Sequence, residues 1–217
     1  IIPVYNNLNY TMNCLKSILE NTKESYEVIV VDDCSTDGTS HVLKNKVKNI
    51  TVIENKENLG FIESCNRGAV VARGEYLVFL NNDTTVTKGW LSAMLSLFER
   101  EDVGAVGAKL VYPDGRLQEA GGIIWQDGSG WNYGRYDDPN KPEYNFVREV
   151  DYCSGAALMV KKDLFEKIGG FSRDYKPAYY EDTDICFTLR KRGFKVLYQP
   201  EAVVIHHEGA TSGTDLS

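Results

Sequence analysis

Four short polar groups in this chain combine residue types and spacing that chemistry requires. Asn81-Asn82-Asp83 directly follows an apolar run. A carboxylate there can bind a divalent cation whose other ligands are phosphate oxygens and water. Asn and Asp also favour turns for local reasons, so a plain turn after a strand is the alternative. Asp32-Asp33 closes a second apolar run. An aspartate in that place can accept from the imide N–H of uracil or thymine, a donor adenine lacks. It can equally cap a helix starting near residues 36–38, and the pair suffices for one job each. Tyr179-Tyr180-Glu181-Asp182-Thr183-Asp184 opens a helical segment. Three acids in a first turn suit the helix dipole but repel one another, and a carboxylate held there in a cleft can act as a general base. His206-His207 ends a strand-like run; an imidazole delivered to a loop is either structural or a metal ligand.

These groups need elements to position them. Residues 26–31, 50–53 and 75–80 are continuous apolar runs of strand length, and the chain opens at 1–4 as a strand already in progress. Continuous apolarity implies strands covered on both faces, as in a parallel sheet. Between them, residues 10–20, 61–72 and 89–98 carry apolar side chains at helical spacing. Such alternation predicts an α/β fold: a single open twisted, mostly parallel sheet of Rossmann-like type with helices on both faces. Ligands in such sheets sit beyond the carboxyl ends of the strands, and those ends are polar here: Tyr5-Asn6-Asn7, Asp32-Asp33, Asn58 and Asn81-Asn82-Asp83. They belong to different loops but converge on one edge. From 113 to 147 glycine and aromatic residues accumulate with little periodicity, which predicts an irregular excursion whose rings want burial or a ligand. A strand at 156–160, helices at 162–168 and 181–192, and strands at 195–198 and 202–205 follow.

Composition narrows the function classes. With 217 residues, 42% hydrophobic and 25% charged, the chain can build one sizeable core without metal or disulfide staples. Its net charge of −7 argues against nucleic acid as a partner, but an acidic protein can still hold an anionic ligand through a metal ion. Five widely spaced cysteines without a C-x-x-C read as buried free thiols. No run is long enough to cross a bilayer. Neither G-x-x-x-x-G-K-[ST] nor G-x-G-x-x-G occurs, and G-x-S-x-G and H-E-x-x-H are absent too. The chain is expected to be one domain, 1–112 forming a nucleotide-binding half and 113–217 an acceptor-binding and catalytic half, cut from something longer.

Taken in order, the motifs resemble the family-2 inverting glycosyltransferases, which use a nucleotide-sugar donor and have the GT-A fold. The pieces are Ile2-Pro3-Val4-Tyr5-Asn6, Val30-Val31-Asp32-Asp33-Cys34-Ser35-Thr36-Asp37-Gly38-Thr39, Glu57-Asn58-Leu59-Gly60-Phe61 with Asn66-Arg67-Gly68, and the run from Gly74 to Asp83. Ser154-Gly155-Ala156, Ile168-Gly169-Gly170-Phe171, Glu181-Asp182-Thr183-Asp184 and His206-His207-Glu208-Gly209-Ala210-Thr211 complete the set. The resemblance is strongest to rhamnosyl- and galactosyl-type members that build bacterial surface polysaccharides.

The resemblance implies that Pro3, Tyr5 and Asp33 frame the nucleobase, with Asp33 on the imide. Asn58, Asn66 and Arg67 line the donor pocket near ribose and diphosphate, with Asn81 and Asn82 beside them. Asp83 is the metal-binding acid of a D-x-D motif whose first acid is Asn here. Asp182, paired with Glu181, is the catalytic base, and His206, with His207 as its close rival, completes a Mg2+ or Mn2+ site. The donor is a UDP- or dTDP-sugar, and the acceptor a hydroxyl of a saccharide, glycolipid or glycoprotein. A cytoplasmic location at the inner face of a membrane, through peripheral association by regions outside these residues, is a further expectation. Two alternatives stay open: a nucleotidyltransferase of similar fold, and a non-catalytic nucleotide- or carbohydrate-binding module of a larger synthase.

Overall fold

The computed structural model describes residues 1–209, so Ala210 and Thr211 of the last motif lie outside the described residues. The first half alternates as expected: β1 (Ile2–Val4), α1 (Leu8–Asn21), β2 (Val28–Asp32), α2 (Thr39–Lys46), β3 (Ile50–Glu54), α3 (Gly60–Val71) and β4 (Tyr76–Leu80). There follow β5 (Thr84–Val86), α4 (Trp90–Ser96), β6 (Val103–Val111), β7 (Leu117–Glu119), β8 (Gly122–Ile124) and β9 (Gly130–Asn132). The chain continues through β10 (Arg148–Glu149), β11 (Ala157–Lys161), α5 (Lys162–Ile168), α6 (Glu181–Lys191) and β12 (Lys195–His206).

Strands β1, β2 and β3 pair in parallel. Ile1 N donates to Val78 O (2.8 Å) and Leu80 N to Ile1 O (3.0 Å), a parallel pattern that joins β1 to β4. β11 lies antiparallel between β4 and β6, β12 runs parallel to β6, and β10 edges β12. The spatial order is therefore β3-β2-β1-β4-β11-β6-β12-β10, with β1 to β4, β6 and β12 all running one way. The mostly parallel sheet expected from the continuous apolar runs is the one that forms.

Period-two alternation explains those runs. Ile2, Val4 and Val30 face Leu15 and Ile18 of α1 and Met94 of α4, whereas Ile29, Val31 and Phe79 face Ile62 of α3, Phe165 of α5 and Ile185 of α6. Both sheet faces are covered there, so the runs in β1, β2 and β4 carry apolar side chains on both sides. Burying each such side chain is worth roughly 1.5–3 kcal/mol.

Some elements differ from the sequence reading. β6 is an additional strand, hidden because Gly104, Gly107 and Lys109 interrupt its apolar pattern. The glycines leave room for neighbours: a Cβ on Gly107 would lie 2.2 Å from Cys153 Cβ, and one on Gly104 2.8 Å from Phe194 Cβ. Lys109 is buried with its Nζ on Asn145 Oδ1. The strands expected at 195–198 and 202–205 are one, β12, with a register shift between Gln199 and Val203. In the excursion, Tyr144 is buried and Tyr133 packs against its ring, while Trp125 and Trp131 remain half exposed on the β8–β9 hairpin. All five cysteines are free, and no described helix is long and apolar enough to cross a membrane.

Candidate active site

The carboxyl ends of β1 to β4 form one edge, and their loops are clamped to one another. Asn6 Oδ1 accepts from Thr36 N (2.7 Å) and Asn6 N donates to Ser35 Oγ (2.8 Å), tying the loop after β1 to the loop after β2. Pro3 is half buried and Tyr5 lies exposed beside it. Asp33 is 4% exposed, and both its oxygens are engaged. Oδ1 accepts from Leu59 N (2.8 Å) and Asn55 Nδ2 (2.6 Å), and Oδ2 from Gly60 N (2.8 Å). Asp33 thus caps α3 from a distance, a role the dipole of that helix favours. Neither member of the pair caps α2; Asp37 does, accepting from Thr39 N (3.0 Å).

Asn55, which belongs to none of the motifs, is the hub of this corner. Its buried amide donates to Asp33 and to Ser64 Oγ (3.0 Å), and its Oδ1 takes Arg67 Nη1. Arg67 and Asn58 are otherwise exposed. Two expected donor-pocket residues turn elsewhere. Asn66 closes a reciprocal pair with the Phe171 backbone, Nδ2 to O and Oδ1 from N, both 2.9 Å, so its amide is spent on the Gly170-Phe171 turn. Asn82 is 2% exposed and donates to Thr11 Oγ1 of α1 (3.0 Å), because alternation after β4 sends it into the core.

Asp83 and His206 meet at the next position along the edge, where β12 pairs with β5 just beyond Asp83. Both are buried, with His206 Nε2 3.2 Å from Asp83 Oδ1 and 3.3 Å from Asn81 Nδ2. On the far side of the ring, Nδ1 stands 3.1 Å from Gln118 Oε1, an acceptor that fixes the N–H there. The lone pair of a neutral ring then lies on Nε2, facing a carboxylate oxygen. Nε2 and the carboxylate are both lone-pair groups of the kind a divalent cation takes, with the Asn81 amide beside them. His207, the rival, instead donates its backbone N–H to Asp83 O (3.0 Å) and sets its ring against Tyr10, centroids 5.0 Å apart. Among the described residues no three His, Cys, Asp or Glu side chains gather as a metal site, so the protein offers Asp83 and His206 as a pair.

Glu181 and Asp182 open α6 behind two non-glycine residues in the left-handed region, Tyr179 (φ 81°) and Tyr180 (φ 69°). That conformation is uncommon for bulky residues and gathers at functional sites. Asp182 Oδ2 accepts from Gly155 N (2.9 Å) and Oδ1 from Thr183 N (2.7 Å). Burial raises its carboxyl above the ordinary range, and those donors oppose the rise. Burial, reinforced by the neighbouring Asp182 charge, pushes Glu181 up to about 7. Ala156 O accepts from Asn81 N (3.0 Å), so the turn that holds Asp182 also holds the loop of Asp83. Gln118 and Glu119 escape the sequence motifs: they lie in the aperiodic stretch, where only their adjacency before a Gly-Gly pair marks them. A cavity of about 360 Å³ opens farther along this stretch, lined by Trp131, Tyr133, Tyr136 and Tyr144.

Among known protein families, a model described as Glycosyl transferase family 2 matches residues 1–169. The chain is 30% identical to an uncharacterized protein, y4gI, of Sinorhizobium fredii over 98% of its own length. It is 27% identical to the O-antigen biosynthesis protein RfbC of Myxococcus xanthus over 99%. It spans only 24% and 18% of those two proteins. Identity to the N-acetylglucosaminyl-diphospho-decaprenol L-rhamnosyltransferase of Mycobacterium tuberculosis is 27%, over 93% of this chain and 73% of that one. Among solved structures, GalNAc-T7 with UDP, GalNAc and Mn2+ superposes with a TM-score of 0.78 at 16% identity, covering 94% of this chain and 42% of that one. The likeness assigns the GT-A fold.

Proposed function

The chain belongs to glycosyl transferase family 2, and on that premise we propose that it transfers a sugar, with inversion, from a nucleoside-diphosphate donor to a saccharide hydroxyl. The single observation that carries this reading is the convergence of Asp83–His206 and Asp182 on one sheet edge through the Ser154-Gly155-Ala156 turn. The names of the relatives favour a bacterial polysaccharide or its lipid-linked precursor as the acceptor.

In this reading Pro3 and Tyr5 flank the nucleobase, and Asp33 frames its pocket by fixing α3 and Asn55. Asn58 and Arg67 stand at the mouth, where a guanidinium suits ribose and diphosphate oxygens. Asp83 and His206 fit a Mg2+ or Mn2+ ion as two ligands, with Asn81 beside them and the remaining positions left for phosphate oxygens and water. Such an ion supplies Lewis-acid stabilisation of the departing diphosphate. Asp182 takes the proton from the acceptor hydroxyl as that oxygen bonds to the anomeric carbon and the bond to the nucleoside diphosphate breaks. Its raised carboxyl makes it a better base than an exposed aspartate, and two backbone donors hold it in place. The aromatic faces around Trp131 and Tyr136 would receive the acceptor.

The test is nucleoside diphosphate release from a panel of nucleotide sugars, with wild type and Asp182→Asn compared. Asp182→Asn is expected to lose about 100-fold or more in kcat with nucleotide affinity retained. Turnover near wild type would remove Asp182 as the base, and binding without turnover across the panel would favour a non-catalytic module.

A further inference from the structure

Ser154 and Gly155 lie between two carboxylates. Glu119 Oε1 accepts from Ser154 N (3.0 Å), and one residue on, Gly155 N donates to Asp182 Oδ2 (2.9 Å). Glu119 is 1% exposed, and its second oxygen, Oε2, is buried without a hydrogen-bond partner. A buried acid with an orphan oxygen costs stability, and a packing role alone would be served better by an apolar side chain. We propose that Glu119 is a positioning residue for the reaction, holding the Ser154–Gly155 peptide so that the Gly155 N–H is presented to Asp182. This rests on the reading of Asp182 as the base.

Besides Glu119, the N–H groups of this turn are met by Asp182 and by the Ser154 hydroxyl. Gly155 sits between two helices: a Cβ there would stand 3.4 Å from Phe61 Cζ of α3 and 3.6 Å from Asp182 Cβ of α6, ordinary contact distances. Ser154 Oγ serves its own turn, accepting from Ala156 N (3.2 Å). Glu119 reaches the turn from β7, and its neighbour Gln118 orients His206 from the same strand. One three-residue strand therefore sets both the imidazole and the base.

Charge agrees with geometry. Burial pushes the Glu119 carboxyl up to about 8; the Ser154 N–H opposes this, and the charges of Asp182 and Glu208 add to it, against Arg135. Tyr152 and Cys153 before the turn, Cys186 on α6 and Tyr198 on β12 also face it, all raised by burial and so uncharged at neutral pH. Glu181 lies beside Asp182 on α6. At pH 7 Glu119 thus carries its proton and anchors the turn without repelling the Asp182 carboxylate.

The experiment measures kcat, donor KM, UDP affinity by calorimetry and the pH profile of kcat for Glu119→Gln, Glu119→Leu and Glu119→Asp. Gln keeps a neutral acceptor for Ser154 N, and its kcat at pH 7 is expected within about threefold of wild type. Leu removes the acceptor and Asp is too short to reach, so kcat is expected to fall about 10- to 100-fold in both, with KM and UDP affinity unchanged. The acid limb should also move to higher pH, because the Gly155 donor it weakens is one that lowers the Asp182 carboxyl. Retained kcat in Leu and Asp overturns the proposal, as does a loss in Gln as large as theirs, or UDP affinity falling in step with kcat. Should Leu fail to fold, Gln against Asp decides by the same criteria. Asp182→Asn run alongside separates the two ideas: if it stays active, the base assignment has failed rather than the role of Glu119.

Discussion

Truncating Asp33 to alanine removes the acceptor for three donors at once: Leu59 N, Gly60 N and Asn55 Nδ2. The three do not weigh equally. Leu59 and Gly60 are half exposed, so water can replace the carboxylate at the start of α3, leaving the loss of a cap, about 0.5–2 kcal/mol. Asn55 is 4% exposed; its Oδ1 still accepts from Arg67 but its amide keeps only the donation to Ser64, so the second amide hydrogen is stranded at a cost of about 1–3 kcal/mol. The sum, about 1.5–5 kcal/mol, corresponds to a fall in Tm of roughly 3–20 °C for a domain of this size. Urea titration followed by tryptophan fluorescence gives the free energy through the midpoint and slope. Asp33→Asn is expected to lose nearly as much, because its amide presents a donor where the protein also presents donors. On the folded protein, UDP affinity should drop about tenfold as Asn55 and Arg67 lose their mooring. A loss of stability below about 0.5 kcal/mol in the alanine variant would refute this account of the corner.

Two further changes test other parts of the frame. Glu63 joins α3 to the segment after Phe171 through Arg173 (2.7 Å) and Lys176 (2.5 Å), which hold its carboxyl down at about 2. A depressed folded value contributes stability that is present above about 4.5 and lost as pH falls towards 2. Because both cations are exposed, that contribution is about 1 kcal/mol, and the gap in urea midpoint between wild type and Glu63→Gln should be open at pH 7 and close near pH ~2.5. Gly107→Ala would place a Cβ 2.2 Å from Cys153 Cβ and 2.4 Å from its sulfur inside the core. It is expected to destabilise by about 1–3 kcal/mol, with part of the loss recovered when Cys153→Gly is added, read as non-additivity in a double-mutant cycle.

Much of the frame was legible because local rules and tertiary demands agree there. Apolar runs covered on both faces mark β2, β3 and β4, and helical spacing marks α1, α3 and α4. β6 was hidden because its glycines answer to Phe194 and Cys153, which are distant in sequence, and its lysine to Asn145. At the site, the polar residues ending strands were visible as a set, but their directions were not. Asn66 and Asn82 carry the right side chains in the right loops, yet both turn away from the cleft, and nothing local distinguishes them from Asn58 or Asn81. Asn55 follows β3 as Asp33 follows β2, so the same reasoning about strand ends applies to it. Gln118 and Glu119 had no such signal, because their strand exists only through its pairing with β6.

β11 is the inner strand that runs against its neighbours, so its leading end, rather than its trailing end, meets the reactive edge. What arrives there is main chain: the N–H groups of Ser154 and Gly155 and the carbonyl of Ala156. Peptide groups are the same whatever side chain they carry. In the proposed reading, the loops after β1 to β3 can therefore exchange residues to suit a different ligand while the carboxylate of Asp182 hangs from an unaltered support. Mutational tolerance at the turn should be correspondingly lopsided, with many residues accepted at position 154 but proline refused at 154 and 155, where it would delete a donor. On that reading, the reversal puts the support of the proposed base on main chain and leaves recognition to side chains of other loops.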